Sequence, residues 1–302
     1  MYNGGAAVFR AMGNSEVSMK VSLLMNAINV SGNAILIYGF HCGTEGVAIP
    51  TLVSRFVAAF IIIKLLLKDK WTLHLKRTFR FNPDWSMIRK ILSVGIPNGL
   101  ENSMFQLGKV LVLSLVSTFG TYAIAANAVS NVITLFSILP GQAICLAVTT
   151  VIARCVGAGD YEQAKYYNKK LILLTHIGMA ITIFIVFITL PFILKVYNLS
   201  EAASEATRHI IWFHGFCAIL IWAESFTLPA TFRACGDAKA CMIISTVSMW
   251  IFRVGASYIL GKNLGLGVFG VWVAMIIDWA FRSLLFGIRY FSGKWKKHAL
   301  VS

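Results

Sequence analysis

Charge is scarce in this 302-residue chain, and negative charge scarcest: 13% of the residues are charged, with 12 Asp and Glu against 27 Lys and Arg. A soluble domain carries about a quarter charged residues, and here 58% of the residues are hydrophobic, with a mean hydropathy of +0.74. That is more apolar side chain than one soluble core can bury, which excludes an ordinary soluble globule. The six cysteines, Cys42, Cys145, Cys155, Cys217, Cys235 and Cys241, form no CxxC pair and mostly fall in or beside apolar stretches. They read as free thiols, not as a disulfide framework or a zinc site. A phosphate-binding Gly loop, zinc-type Cys/His spacing and a nucleophile elbow are all missing, so no soluble-enzyme chemistry is indicated. The first residues are polar and Gly-rich, so no cleavable signal peptide is visible. Insertion falls to the apolar segments themselves.

Eight such segments have about the 20 residues that a helix needs to cross a bilayer. They run from Val17 to Tyr38, Val47 to Leu67, Ile91 to Val116, Ala123 to Ala147, Leu171 to Val196, Ile210 to Pro229, Ala240 to Leu260 and Val268 to Phe291. The net charge of +15 is distributed between them in a way that speaks for topology, not nucleic acid. Arg10 and Lys20 precede the first segment; Lys68, Lys70, Lys76, Arg77, Arg80, Arg89 and Lys90 lie between the second and third. Arg154, Lys165, Lys169 and Lys170 separate the fourth and fifth, Arg233 and Lys239 the sixth and seventh, and Lys294, Lys296 and Lys297 follow the eighth. Alternate loops carry only Lys195, Arg208 and Lys262. The basic side is therefore expected to be cytoplasmic, together with the C-terminus, in a multi-pass cell-membrane protein.

One stretch occurs twice. Phe9-Arg10-Ala11-Met12-Gly13-Asn14 returns as Phe232-Arg233-Ala234-Cys235-Gly236-Asp237. Gly43 and Gly46-Val47 return as Gly267 and Gly270-Val271, and Lys70-Trp71 as Lys294-Trp295. Six segments lie between the copies, an even number, so the halves are expected to be parallel repeats related by an axis along the membrane normal. The expected organisation is residues 1–75 as the end of a first lobe with two membrane helices, residues 76–90 as a cytoplasmic linker, and residues 91–302 as a second lobe with six. Matching the halves implies about four further helices before Met1, twelve in all, and Met1 as a late start or a fragment end.

The repeated motif also carries a resemblance. Phe226-Thr227-Leu228-Pro229 before Phe232-Arg233-Ala234-Cys235-Gly236-Asp237, with Gly95-Ile96-Pro97, Ala125-Ala126, Gly157-Ala158-Gly159, and Asp278-Trp279 with Arg282, resembles the multidrug and toxin extrusion (MATE) transporters, of the bacterial DinF/NorM-like kind. The resemblance spans the chain and makes its segments helices five to twelve of twelve. Ala153-Arg154 and Glu101 depart from residues common in bacterial members. The resemblance implies secondary active efflux of organic, often cationic, amphiphiles by antiport against H⁺ or Na⁺, with no other cofactor. The implied fold is an all-α polytopic membrane protein, eight transmembrane helices of a two-lobe transporter built from parallel repeats.

Ionisable residues at membrane depth cost a few kcal/mol each and so mark candidate sites. Glu101, just past Pro97, suits a coupling carboxylate, with pairing to Lys109 or a hydrogen bond to a neighbouring helix as the structural alternative; Asn102, Gln106 and Lys109 continue a polar stripe along the same helix. Glu224 is the second candidate for cation or substrate contact. Asp278 and Arg282, four apart, are placed to pair, with Arg253 as a third member of a packing cluster. Asn127 and Asn131 read as interhelical hydrogen-bond donors. Phe105, Phe136, Trp222 and Phe226 are candidates for an amphiphile pocket, Met275 for packing, and Arg10 and Arg233 for positive-inside anchors and turn formers. Expected partners are a small amphiphilic substrate and the lipid bilayer, with no nucleic acid, and a monomer at full length. Two alternatives stand beside efflux: a lipid-linked oligosaccharide flippase of the same superfamily, kept open by Lys109, Arg253 and Arg55, and a non-transporting truncated membrane protein.

Overall fold

The computed structural model describes residues 1–75 and 83–298. The expected linker's Lys76, Arg77 and Arg80 lie outside the described residues, as does the side chain of Lys297. Among the described residues the fold is all-helical, and it separates into two compact units, Met1–Pro83 and Asp84–Ser302.

In the first unit, α1 (Tyr2–Ala11), α2 (Ser15–Ala34) and α3 (Glu45–Leu66) pack around Ala6, Phe9, Val21, Ala58, Ile62 and Leu66. Phe9 is fully buried with Trp71 edge-on to it, ring centroids 5.3 Å apart. The sequence segments do not foresee α1, because its Gly4-Gly5 pair hides a helix; Gly5 is small where Ile62 presses on the backbone. In the second unit, α4 (Trp85–Ser117), α5 (Thr121–Gly157), α6 (Tyr161–Tyr197), α7 (Glu201–Ala234), α8 (Ala238–Ser248) and α9 (Gly267–Phe291) follow one another through short turns. Side chains start several of them: Asp84 accepts from the Met87 N–H at 3.1 Å and Asp160 from the Gln163 N–H at 2.8 Å, satisfying amides that have no partner in the helix.

Among the described residues, seven helices are long and apolar enough to cross a bilayer. The remaining long one, α4, has 33 residues, ample for a span, but its apolar face is interrupted by Asn98, Glu101, Asn102, Gln106 and Lys109. The helices exceed the apolar segments marked in the sequence: α5 and α6 each run 37 residues, about 55 Å at 1.5 Å per residue. Their polar ends extend the helix past the hydrocarbon, where hydropathy no longer reports it.

The sequence repeat becomes a repeated turn. Asn14 donates its N–H to Phe9 O and Asp237 donates its N–H to Phe232 O, each at 2.9 Å, while Gly13 and Gly236 take φ of 81° and 86°. This is the Schellman-type helix end, which needs a left-handed residue and therefore favours glycine. Both helices after these turns finish in π-helical turns, Ile35–Gly39 after α2, and Met249–Gly255 with Tyr258–Asn263 after α8.

The second shared glycine lies at a tight crossing. A Cβ on Gly270 would stand 2.8 Å from both C and O of Leu260 and 2.9 Å from the Gly261 N, all backbone atoms that no rotamer change can move. Gly270→Ala is therefore expected to destabilise by about 1–3 kcal/mol through overpacking. Gly287→Ala, on the same helix with nothing within 4 Å, is expected to be neutral or slightly stabilising. Thermal unfolding of the two variants in detergent makes the comparison, and equal midpoints would refute the crossing argument.

Candidate functional site

Within the second unit, α4, α5, α7, the π-helical turn Met249–Gly255 and α9 line a cavity of ≈ 880 Å³ that is open to the surface. That lies in the size range of small-molecule sites, about 300–1,000 Å³. From α4 it takes Asn98, Asn102, Phe105 and Lys109, which lie on one face of the helix. Gln106, on the same predicted stripe, does not line it. The opposite wall is aromatic: Trp222 and Phe226 stack with centroids 4.9 Å apart, and Trp279 meets Phe226 edge-on at 5.4 Å. His214 is held edge-on between Trp272 and Trp279, at 5.5 and 5.2 Å. Trp222 can stand there because Gly141 on α5 leaves room; a Cβ would come 2.3 Å from its ring.

Of the aromatic candidates, Phe105, Trp222 and Phe226 reach the cavity, whereas Phe136 is exposed on the outside of α5. Trp272, Trp279 and His214 are not among the sequence's pocket candidates, and they become visible as such only when α7 and α9 are set side by side. Met275, expected to be simple packing, lines the cavity and lies 3.1 Å from an Arg253 nitrogen through its sulfur.

The carboxylates depart most from expectation. Glu101 is buried and pairs not with Lys109 but with Arg233, one guanidinium nitrogen standing 2.8 Å from Oε1 and 2.9 Å from Oε2. Arg233, read as an anchor at the end of α7, thus turns inward, and its motif neighbour Asp237 accepts a two-pronged contact from Arg289, at 2.6 and 2.9 Å. Arg233 holds Glu101 by a charge-assisted pair. Asp278 and Arg282 share a helix without pairing: Asp278 accepts from Ser248 Oγ at 2.5 Å, and Arg282 donates to the Ser225 carbonyl at 3.2 Å and lies over Phe226 at 4.6 Å. Asn127 accepts a hydrogen bond from Trp272 Nε1 at 3.1 Å, and Asn131 donates within its own helix to the Asn127 carbonyl at 2.7 Å, so the pair does not act as two interhelical donors. Arg55 is exposed on α3 of the first unit.

Glu224 faces α6, away from the cavity lining. Its Oε1 lies 2.9 Å from Nε2 of His176, whose Nδ1 lies 2.7 Å from the Ile219 carbonyl oxygen. A carbonyl oxygen only accepts, so Nδ1 carries a proton, and the short Nε2···Oε1 contact needs one more between the two groups. The pair therefore holds either imidazolium with carboxylate or imidazole with carboxylic acid. Among the described residues Glu224 Oε2 has no hydrogen-bond partner. His176, a lone histidine in an apolar helix, carried no sequence signal.

Comparison with known proteins agrees with this architecture. The MatE family model matches residues 97–259. The chain is 27% identical over 302 residues to a probable multidrug resistance protein NorM of Thermotoga maritima, covering 98% of the chain and 64% of that relative. It is 26% identical to the uncharacterized transporter YisQ of Bacillus subtilis, covering 96% and 64%. The chain thus spans about 64% of the length of these curated relatives. An outward-facing multidrug resistance MATE transporter of the MOP superfamily superimposes with a TM-score of 0.89 at 20% identity, covering 98% of the chain and 66% of that structure. A MOP superfamily transporter from Pyrococcus furiosus, described as having a binding pocket of reverse polarity, gives 0.87 at 21% identity, covering 97% and 66%.

Proposed function

The chain belongs to the MatE family, whose members are transporters and not enzymes, and on that premise we propose that it forms the second lobe and part of the first lobe of a secondary exporter of small organic amphiphiles. The observation that carries the proposal is the ≈ 880 Å³ cavity lined by Phe105, Trp222, Phe226, Trp272 and Trp279, a surface suited to apolar, ring-bearing solutes. The names of the relatives support multidrug efflux and lend nothing to the flippase alternative.

The coupling ion in this reading is the proton, carried by His176 and Glu224. The pair already shares one proton across 2.9 Å, and the free Oε2 offers a place for a second. Glu101, tied to Arg233, serves instead to close α4 against α7. Protonation would favour one arrangement of the lobes and deprotonation the other, giving alternating access. The basic ends at Arg154, Lys165, Lys169 and Lys170 support a cytoplasmic face on the side of the C-terminus.

Everted vesicles from cells expressing the protein from its complete reading frame test the proposal. A pH gradient alone is expected to drive uptake of an amphiphilic fluorescent dye, and a Na⁺ gradient alone to leave it at background. Uptake driven only by Na⁺ would overturn the proton assignment, and uptake under neither gradient would overturn the transport reading.

A further inference from the structure

Three of the twelve acidic residues lie deep in helices of this chain: Glu101, Glu224 and Asp278. None is offered to the cavity as a free negative charge. Glu101 is engaged by Arg233, Glu224 faces His176 on α6, and Asp278 is fully buried and accepts from Ser248.

Positive charge is arranged differently. Three cations converge on one ring: Lys109 Nζ lies 5.4 Å from the Phe105 centroid, the Arg253 guanidinium 5.4 Å and the Arg282 guanidinium 5.7 Å. Lys109 and Arg253 line the cavity directly, and among the described residues no carboxylate comes within 4.0 Å of either. Arg253 is presented by the π-helical turn Met249–Gly255, a local widening of the kind that recurs at functional sites. Its guanidinium is left with a methionine sulfur, a weak acceptor. Behind Phe105, Arg282 is buried, and among the described residues its Nε and one terminal nitrogen have no hydrogen-bond partner. Asp278 offsets part of the repulsion at Arg253 and Arg282, but among the described residues Lys109 and Arg253 still face the cavity with no carboxylate against them, and an arriving anion relieves the repulsion that remains. A cationic head group would have to enter against the same field.

Taking the cavity to be the amphiphile site, we infer that it selects solutes with an aromatic or apolar body and an anionic head group, a carboxylate, sulfonate or phosphate, seated between Lys109 and Arg253 beside Phe105. The body lies along the Trp222, Phe226 and Trp279 wall, and the head group is held by charge-assisted hydrogen bonds from the two cations.

Two dyes that share a xanthene ring but differ in charge test this: fluorescein, an anion, and the rhodamine methyl ester, a cation. Binding of each is measured by fluorescence polarisation to the whole chain in phosphatidylcholine nanodiscs. Fluorescein is expected to bind about tenfold or more tightly than the rhodamine ester, as one or two charge-assisted contacts provide. Lys109→Gln is expected to remove about tenfold of the fluorescein affinity with rhodamine binding unchanged or improved, and Lys109→Arg to retain it. Arg253→Gln is expected to act in the same direction, with the melting temperature of each variant confirming its fold. Nanodiscs containing phosphatidylglycerol separate the two sources of the anion: displacement of fluorescein assigns the site to a lipid head group, retention to a free organic anion, and both outcomes satisfy the charge rule. Tighter binding of the rhodamine ester, or fluorescein affinity indifferent to Lys109→Gln, overturns the inference while leaving an amphiphile site in place. Failure of both dyes to bind removes the amphiphile site as well.

Discussion

Glu101→Gln is expected to cost about 3 kcal/mol of stability, because it leaves the Arg233 guanidinium without its partner where α4 meets α7. Arg233→Gln is expected to do similar damage from the other side, stranding a carboxylate that is 7% exposed. The double variant Glu101→Gln/Arg233→Gln is expected to recover much of the loss, since neither charge is then buried alone. Thermal unfolding of the four proteins in detergent closes the cycle. Strictly additive losses would mean that the two residues are not coupled, and the contact between α4 and the end of α7 would need another explanation.

This pair also shows where sequence reading stops. The membrane segments were legible because about 20 apolar residues in a row have few other uses, and the repeat was legible because Gly13 and Gly236 must both supply a left-handed helix end. The pairing of Arg233 escapes sequence reading for a physical reason. A basic residue at the end of an apolar run is usually an anchor, and its partner here is 132 positions away. Asp278 and Arg282 show the converse: a helical spacing of four permits pairing, but Ser248 on the neighbouring helix captures the carboxylate. Residue type alone groups Phe136 with Phe105, and only the rotation of α5 separates them. The basic character of the cavity was partly visible in Lys109 and Arg253, but their convergence on Phe105 depends on the π-helical turn, for which no sequence pattern was available.

The second large effect concerns coupling. In the proposed exporter, Glu224→Gln is expected to reduce pH-driven dye transport by about a hundredfold or more, the size typical of losing a positioned proton-transfer group. Exchange of dye across an unenergised membrane is expected to persist, because the cavity lining does not include Glu224. His176→Gln is expected to impair the driven reaction in the same way, with the carboxylate left without its imidazole partner. A purely structural role predicts a different pattern, in which driven transport and exchange fall together and the melting temperature falls with them. Measuring all three separates a proton carrier from a packing contact.

The most direct test of the account is which carboxyl group takes up the proton. Infrared difference spectra of the chain in nanodiscs, recorded on acidification, are expected to show a carboxylic acid carbonyl band in the unaltered protein and in Glu101→Gln, and to lose it in Glu224→Gln. A band that survives Glu224→Gln and vanishes with Glu101→Gln would place the proton on the Arg233-paired carboxylate and contradict the assignment of His176 and Glu224.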